Sequence, residues 1–387
     1  MKFKTLKFAD IKNRKNLLPA AGSIKNNRGM ALLLTLTIIT LLVVVTLEFN
    51  RKVRTAVFAT ATSRDRLTLT YKASSGINLA MAVLLKDKKD SKIDSIQEDW
   101  ANPDKLKEIA ADIPFEDGKL EIKISDERAR IQINALIKYP QGSAPNDAQM
   151  FLWDRLLTNL AKQIEEADTE KDSEEDEVEP RAIVNSLKDW LDFGDDDAIT
   201  GLNGAESDYY QGLEPPYECK NGPITHISEL MQVKGVTAAL YKDGEDENAP
   251  GLADFVTIYG AQARGGGRFS FDGKININTA ELPVLMALLP ADQDVEALAQ
   301  AMYDYRAEMS EENYVNDLKS PTWYKKADGL NNITIDPKLI TTTSDLFRIE
   351  AVAAQHDVVK KVIAVLERVK DKKSGKYNCR ILSWEPF

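Results

Sequence analysis

A single uninterrupted apolar segment stands out in the hydrophobic pattern of this chain. The 18 residues 30–47 contain no charged side chain. As a helix they would extend about 27 Å, close to the thickness of the hydrocarbon core of a bilayer. The four threonines of the segment can donate their hydroxyl groups to carbonyls one turn earlier. The pattern therefore predicts a helix that spans a membrane.

The helical periodicity continues beyond this segment without a proline. Apolar residues recur at intervals of three and four positions as far as about residue 85, which is typical of an amphipathic helix. We therefore expect one helix over residues 30–86, apolar on all sides at first and amphipathic after the span.

The residues before the span, 1–29, form a basic segment. They contain eight Lys or Arg residues and one acid, Asp10, and such an excess of positive charge keeps its side of a span in the cytoplasm. The span is longer than the core of a cleaved signal peptide, and no small-x-small cleavage site follows it. An ordinary membrane anchor explains these features, but not the junction of Gly29 and Met30 at the membrane edge.

Downstream of this helix, the pattern predicts an α+β fold. Strict alternation over residues 118–125 and 130–136 predicts a β-hairpin with one buried face. Strand character returns at residues 344–354 and 377–387, whereas residues 358–370 fit either a strand or a helix. Between the two β parts the periodicity is helical. We expect a β part that begins at the hairpin and is completed at the C-terminus, with a helical insertion between.

The charge of the chain restricts its partners. The formal net charge is −11, and because residues 1–29 contribute +7, the remainder carries −18. An acidic portion of this kind argues against nucleic acid, which needs a face of Lys and Arg, and suits a divalent cation or a basic partner. Residues 165–179 contain ten acids and one lysine and are interpreted as a solvated loop.

No catalytic constellation is apparent, so we expect no enzymatic activity. The chain has two histidines and neither a C-x-x-C nor an H-E-x-x-H motif, which leaves zinc chemistry without support. Ser228 lies two residues from His226, but sequence neighbours rarely face each other, and no G-x-S-x-G motif is present. Cys219 and Cys379 could pair in an oxidising compartment, although sequence does not show that they are close.

The sharpest candidate site is an acidic loop at residues 192–208. Gly194, Gly201 and Gly204 interrupt its acids and provide turns, and such a loop can surround Ca²⁺ with carboxylate and carbonyl oxygens. The spacing is not that of an EF-hand, and a solvated acidic loop is the alternative. Its acids are Asp192, Asp195, Asp196, Asp197, Glu206 and Asp208. The metal ligands selected from them are Asp192, Asp195, Asp197, Glu206 and Asp208.

Two segments resemble helix-hairpin-helix elements, which bind DNA phosphate through backbone N–H groups. They are residues 228–236 and 277–290. The hairpin of the second segment, residues 290–294, has two acids where a phosphate would lie. We therefore interpret these segments as packing elements, and a membrane-anchored DNA receptor is the alternative function.

Seven segments, taken in order, resemble the K-type minor pseudopilin family of the type II secretion system. Each is weakly diagnostic alone, but their order together is specific, and the resemblance covers nearly the whole chain after Gly29. They are RGMALLLTL (28–36), SRDRLTLTYKASSGINLAMAVLL (63–85), RIQINAL (130–136), SLKDWLDFGDDD (186–197), GAESDYYQGLEPPY (204–217), ISELMQVKGVT (227–237) and GKININTA (273–280).

The resemblance implies a pilin-like fold, in which a long N-terminal helix packs on an antiparallel sheet. It also implies a large inserted α-helical domain that contains the helix-hairpin-helix-like elements. The expected divisions are a leader (1–29), the helix (30–86), the first β part (87–140), the inserted domain (141–340) and the second β part (341–387).

The resemblance also implies a processing and assembly pathway. Prepilin peptidase would cut after Gly29 and methylate the amine of Met30. The product would be a single-pass protein of the bacterial inner membrane with most of its chain in the periplasm. There it would join I-type and J-type minor pseudopilins, and other pseudopilins, at the tip of the pseudopilus, where it would start or cap assembly. The competing interpretation is a membrane-anchored scaffold that is never processed.

For the acidic loop, the resemblance implies calcium binding in the inserted domain. The matching family segments are Asp189, Trp190 and Asp192, and Gly204, Ala205 and Glu206. The family often has an acid two places after Asp192, where this chain has Gly194, so Asp195 or Asp197 would substitute.

The resemblance also offers an explanation for the apolar residue Leu34. Most pilin-like subunits have Glu at the fifth mature position, paired with the terminal amine of a neighbour, and the fifth residue after Gly29 here is Leu34. An unmatched carboxylate in the bilayer costs about 2.5–3.5 kcal/mol. A subunit with nothing above it has no amine to match, so an apolar residue fits a position at the tip.

Overall fold

The computed structural model of the chain describes residues 27–111, 115, 118–167, 179–194, 199–241 and 250–387. It divides into two compact units, of which the first ends at Ser63 and the second comprises Arg64–Phe387.

The helices are α1 (Asn27–Asp90), α2 (Pro103–Ala111), α3 (Asp147–Ala167), α4 (Pro180–Leu191), α5 (Ser207–Gln211), α6 (Ala238–Tyr241), α7 (Leu252–Phe255), α8 (Leu282–Leu288) and α9 (Val295–Ala307). The strands are β1 (Gly118–Asp126), β2 (Ile131–Gln132), β3 (Val256–Thr257), β4 (Ala261–Gly265), β5 (Arg268–Phe271), β6 (Ile275–Asn276), β7 (Met309–Ser310), β8 (Asn313–Tyr314), β9 (Ile340–Thr341), β10 (Leu346–Gln355), β11 (Val358–Lys370) and β12 (Tyr377–Pro386).

In the first unit, the described residues 27–63 all belong to α1, and the side chains of residues 30–47 are exposed. Thr35, Thr37, Thr40 and Thr46 donate their hydroxyl groups to carbonyls three or four residues earlier. The predicted helix is therefore confirmed, with its backbone polar groups satisfied within the helix as an apolar solvent requires. Its length and composition are sufficient to cross a membrane.

In the second unit, the remainder of α1 packs on a four-stranded antiparallel sheet with the order β1-β10-β11-β12. The fully buried apolar residues of α1 recur every three or four positions, which puts them on one side of the helix. They are Leu69, Ala73, Ile77, Ala80 and Leu84. A Cβ added to Gly76 would lie 3.1 Å from the Cβ of Ala351, so this glycine permits the close approach of helix and sheet.

The sheet also shows which structure is adopted by residues 358–370, whose sequence pattern fitted either a strand or a helix. Residues 358–370 form β11, which pairs antiparallel with β10 and β12. Val362, Ala364 and Leu366 are buried in the core beneath α1. Their alternation is therefore that of a strand with one buried face, and the helical spacing of the same valines and leucines is coincidental.

The predicted β-hairpin over residues 118–136 is wrong. β1 pairs with β10 along its whole length, whereas β2 pairs in parallel with β3. Between β1 and β2, Asp126 accepts a hydrogen bond from the backbone N–H of Arg128 (2.8 Å) and begins a 3₁₀ turn. Ile131 and Ile133 then enter a second core. Alternation showed which faces are buried, but it did not show which strand is the partner.

The chain between β1 and β10 builds this second core, which is largely helical. The helical periodicity expected between the two β parts is present in α3 and α4. Trp153, Trp190 and Trp323 are fully buried there. Within residues 277–290, the second helix-hairpin-helix-like segment, only Leu282–Leu288 form a helix, and β6 just before this segment pairs in parallel with β9.

The possible disulfide is not formed. Cys219 and Cys379 are both free. Cys219 belongs to the core of the inserted segment, whereas Cys379 lies on β12 against the core beneath α1.

Candidate functional sites

The predicted processing junction lies in the first turn of α1. α1 begins at Asn27, two residues before Gly29, and Gly29, Met30 and Leu34 are all exposed. Residues 1–26 of the expected leader lie outside the described residues.

The acidic loop begins where α4 ends. Pro180 occupies the first position of α4, which favours a helix start because proline lacks an N–H. The helix buries one apolar face and ends at Leu191, and Asp192 follows in an extended conformation. The ring of Trp190 packs edge-on against Tyr210, with centroids 5.0 Å apart. This aromatic contact anchors the end of α4 to the segment that follows the loop.

Asp189 organises the loop from inside. Its side chain is fully buried and accepts hydrogen bonds from the backbone N–H groups of Thr200 (3.1 Å) and Ala205 (3.0 Å). The hydroxyl group of Thr200 also donates to it. A Cβ added to Gly204 would lie 2.2 Å from Oδ2 of Asp189 and 2.8 Å from the Thr200 backbone, so only glycine fits here. The loop is therefore closed around a single carboxylate.

Lys188 neutralises the acids beside it. Its Nζ lies 2.7 Å from Oδ2 of Asp192 and 3.4 Å from Oδ1 of Asp189. Burial by itself would lower the pKa of Lys188, but the hydrogen bond and charge of Asp192, with those of Asp189, outweigh it and raise the pKa. The lysine therefore stays cationic, and it lies where a metal ion between these two carboxylates would have to compete with it.

The structure brings together only part of the predicted ligand set. Asp192 and Glu206 are buried, with 9% and 7% exposure, whereas Asp208 is exposed on α5. Asp195 and Asp197 lie outside the described residues. Among the described residues of this loop, no three acids place ligand atoms within 4.8 Å of one another; the group that meets this criterion is elsewhere.

That group consists of Asp87, Asp94 and Glu98, which sequence reasoning missed. These acids are spread over 12 positions and form no motif. One residue in the sequence could have indicated a buried acid group. Arg368 is a charged residue at a position of β11 that alternates with buried apolar residues. A buried strand position occupied by Arg requires a buried acidic or polar partner.

The fold and the loop can be compared with known proteins. The family profile described as "Type II secretion system (T2SS), protein K" matches residues 129–245, which include α3, α4 and the acidic loop. A type II secretion system protein K of Klebsiella pneumoniae is 29% identical over 219 residues, which is 56% of this chain and 60% of the relative. That of Aeromonas hydrophila is 28% identical over 222 residues, which is 57% of this chain and 62% of the relative.

The chain is therefore similar to the type II secretion system protein K family, with the family profile matching over residues 129–245. It spans about 60% of the length of these relatives. A chain from the crystal structure of the GspK-GspI-GspJ complex of the enterotoxigenic Escherichia coli type 2 secretion system has a similar fold, with a TM-score of 0.56. The likeness covers 85% of this chain and 99% of that chain, at 18% sequence identity. The two chains thus share a fold.

Proposed function

We propose that the chain is a non-enzymatic minor pseudopilin at the tip of a type II secretion pseudopilus, where it starts or caps assembly and supports protein export across the outer membrane. One observation carries the proposal. In a chain similar to the protein K family, the charge-free residues 30–47 form the start of the same helix, α1, that packs on the four-stranded sheet through Leu69 to Leu84. A helix of this kind serves as a membrane anchor before assembly and as a packing rod afterwards.

The proposed partners are I-type and J-type minor pseudopilins and other pseudopilins, and the proposed location is the inner membrane with most of the chain in the periplasm. The solved relative was crystallised as a GspK-GspI-GspJ complex, which supports partners of this class for the present chain. We assign residues 1–29 to a leader removed by prepilin peptidase, and residues 141–340 to an inserted domain that would obstruct a further subunit. The apolar Leu34 agrees with a position at the tip.

The inserted domain is proposed to contain helix-hairpin-helix-like elements that serve packing rather than DNA binding. At the start of α9, the side chain of Asp294 accepts a hydrogen bond from the backbone N–H of Ala297 (3.2 Å). A carboxylate thus already lies at the helix end that would otherwise receive a phosphate. We expect the full chain in detergent to bind no duplex DNA even at low salt; salt-dependent binding would favour the DNA receptor instead.

Mass spectrometry of the N-terminus tests the processing step. The full chain, recovered from membranes of a host with its secretion system, is expected to begin at a methylated Met30. A Gly29→Val variant should retain residues 1–29, because the peptidase would lose its cleavage site. If the parent chain also retains residues 1–29 and does not co-purify with I-type and J-type pseudopilins, it is an unprocessed scaffold and the proposal fails.

We also propose that the acidic loop binds calcium. The support is that Asp192 and Glu206 remain buried at its two ends, and that Lys188 contacts only two of the four described acids here, Asp189 and Asp192 but not Glu206 or Asp208. Asp195 and Asp197 would complete the oxygen ligands, which Ca²⁺ requires in a number of about six to eight. The bound ion would hold the loop rigid and neutralise its charge.

Thermal unfolding in calcium and in chelator tests this assignment. We expect calcium to raise the melting temperature of the parent chain, and expect a chain with both Asp192→Ala and Glu206→Ala to lose the response. Glu296→Ala, an exposed acid on α9, is the matched control and should respond like the parent. A parent chain that is indifferent to calcium, or a double variant that responds fully, excludes this site.

A further inference from the structure

A compact group of acids lies at the end of α1, remote in sequence from the acidic loop. It consists of Asp87 on α1 and of Asp94 and Glu98 in the segment that follows. One carboxylate oxygen of each lies within 4.8 Å of the others. The side chain of Asp94 is fully buried and that of Asp87 is 10% exposed. Water therefore screens the repulsion between these charges poorly.

Arg368 of β11 is the central cation of this group. Its guanidinium group is fully buried, lies 3.2 Å from Oδ2 of Asp87 and contacts Asp94. It also donates to the carbonyl oxygens of Leu84 (3.2 Å) and Ser344 (2.5 Å). The guanidinium thus occupies the space between the carboxylates. A divalent metal ion would have to displace it, so this group is not a metal site.

Among the residues that the structure describes, the remaining charges around the group do not balance it. Lys88 lies 3.4 Å from Oδ2 of Asp94. Asp345, which is half-exposed, lies 3.7 Å from Lys88 and 4.0 Å from Nε of Arg368. Two cations, Lys88 and Arg368, therefore face four acids. A fifth acid, Asp126, approaches through Asn276, whose Nδ2 donates to Oδ2 of Asp126 (2.7 Å) and to the carbonyl oxygen of Asp94 (2.9 Å).

These contacts lie where the inserted segment leaves and rejoins the sheet. The backbone N–H of Asp94 donates to the carbonyl oxygen of Thr342 (3.0 Å), and its carboxylate accepts from the backbone N–H of Ser344 (2.8 Å). Asn276 belongs to β6, inside the inserted segment. We refer to Asp87, Asp94, Glu98 and Arg368, with their contacts to Asn276, Thr342 and Ser344, as the joint. The joint attaches the end of α1 and β11 to β6 inside the insertion and to the boundary at which the insertion rejoins the sheet.

Like charges this close cannot all be ionised in a buried site, as in paired carboxylates of other proteins. Burial, followed by the charges of Glu98 and Asp94, raises the pKa of Asp87 to about 7. Burial also raises the pKa of Glu98 and that of Asp126 to about 6. The geometry and the charge count thus agree that the joint retains protons that the open chain would release.

We propose that Asp87 and Glu98 hold one proton between them near neutral pH, and that loss of this proton loosens the attachment of the inserted segment to the end of α1. The device is independent of the pseudopilin assignment. It would make the rigidity of the chain above the membrane respond to the pH of its compartment.

The sign of the effect follows from proton linkage. An opened joint has an ordinary carboxylic acid at Asp87, so it has released a proton that the closed joint still holds between about pH 4 and 7. Raising the pH within this window therefore favours the open form, by up to about tenfold for each pH unit. Above about pH 7 both forms are deprotonated and the dependence levels off.

Hydrogen exchange on the full chain in detergent tests the proposal. We expect the amides of Asp94 and Ser344, corrected for intrinsic exchange, to open more as the pH rises from 5 to 7. In Asp87→Asn this slope should flatten, since an amide releases no proton. Glu98→Gln provides a second variant if the first folds poorly.

The matched control is Glu350→Gln on β10. Burial would raise the pKa of Glu350, but Lys361, at 2.7 Å, outweighs it and lowers the pKa, so this acid is ionised throughout the range. The control should keep the slope of the parent chain. A flat parent profile, or a slope that survives in both Asp87→Asn and Glu98→Gln, overturns the proposal. Infrared spectra at pH 6 provide a further check. The proposal is also overturned if the parent chain shows no band of a protonated carboxylic acid, or if this band persists in Asp87→Asn.

Discussion

The loop after α4 and the joint at the end of α1 both contain several acids, but the two regions differ in how their buried carboxylates are stabilised. In the loop the acids are close in sequence, and each buried one near α4 has its own partner: Asp189 has two backbone N–H groups and a hydroxyl, and Asp192 has Lys188. In the joint the acids are widely spaced along the sequence, and the carboxylates near Arg368 and Lys88 outnumber these two cations.

This difference shows that charge density along a sequence is a poor guide to electrostatic strain. Hydrogen bonds from N–H groups satisfy a buried carboxylate without a second charge, so the loop is stable as an anion. Crowded carboxylates around one guanidinium instead raise the pKa of Asp87. The three predictions that follow test the two regions against each other, in order of decreasing effect.

Removal of the central cation should damage the joint most. We expect Arg368→Met to lower the free energy of unfolding at pH 8 by about 3–5 kcal/mol, because Asp87 and Asp94 are left buried without their main partner. The loss should shrink at pH 5, where the acids bind protons. Urea denaturation in detergent, followed by tryptophan fluorescence, measures both values.

The control for this variant is Arg380→Met on β12. Arg380 is 60% exposed and pairs with Glu367, so its removal should cost less than about 1 kcal/mol. Equal losses in the two variants would contradict the central role of Arg368.

In the loop, the largest effect is expected at Asp189. Asp189→Asn should cost about 2–3 kcal/mol, since the amide cannot accept all three hydrogen bonds that the carboxylate accepts. The same denaturation experiment measures this loss. In contrast to the joint, the loss should be nearly equal at pH 6 and pH 8. Glu218→Gln, at an exposed position, is the control and should change stability by less than about 0.5 kcal/mol.

The smallest effect concerns the glycine that lets the loop close. Gly204→Ala should cost about 1–3 kcal/mol, because the new Cβ would overlap Asp189 and the backbone of Thr200. Gly212→Ala is the control: its Cβ would lie 3.4 Å from the nearest backbone oxygens, and its φ of −79° suits alanine. If the two glycine variants melt at the same temperature, the loop does not depend on this close approach.

The sequence by itself determined the features that depend on neighbours along the chain. The apolar run of residues 30–47, the basic segment before it and the periodicity of α1 and α3 follow from local composition, because a helix satisfies its backbone within itself. The ordered motifs from residue 28 to residue 280 were likewise sufficient to indicate the resemblance to the protein K family. Asp192 was visible as an acid, but its ion pair with Lys188 was not.

Only the tertiary structure decided which segments meet. β1 pairs with β10 rather than with its sequence neighbour, residues 358–370 form a strand because β10 and β12 flank them, and Cys219 and Cys379 belong to different cores. The joint arises in the same way, since Asp87 and Arg368 are 281 positions apart. Periodicity specifies which face of an element is buried but not the partner that buries it, because that choice depends on contacts between distant parts of the chain.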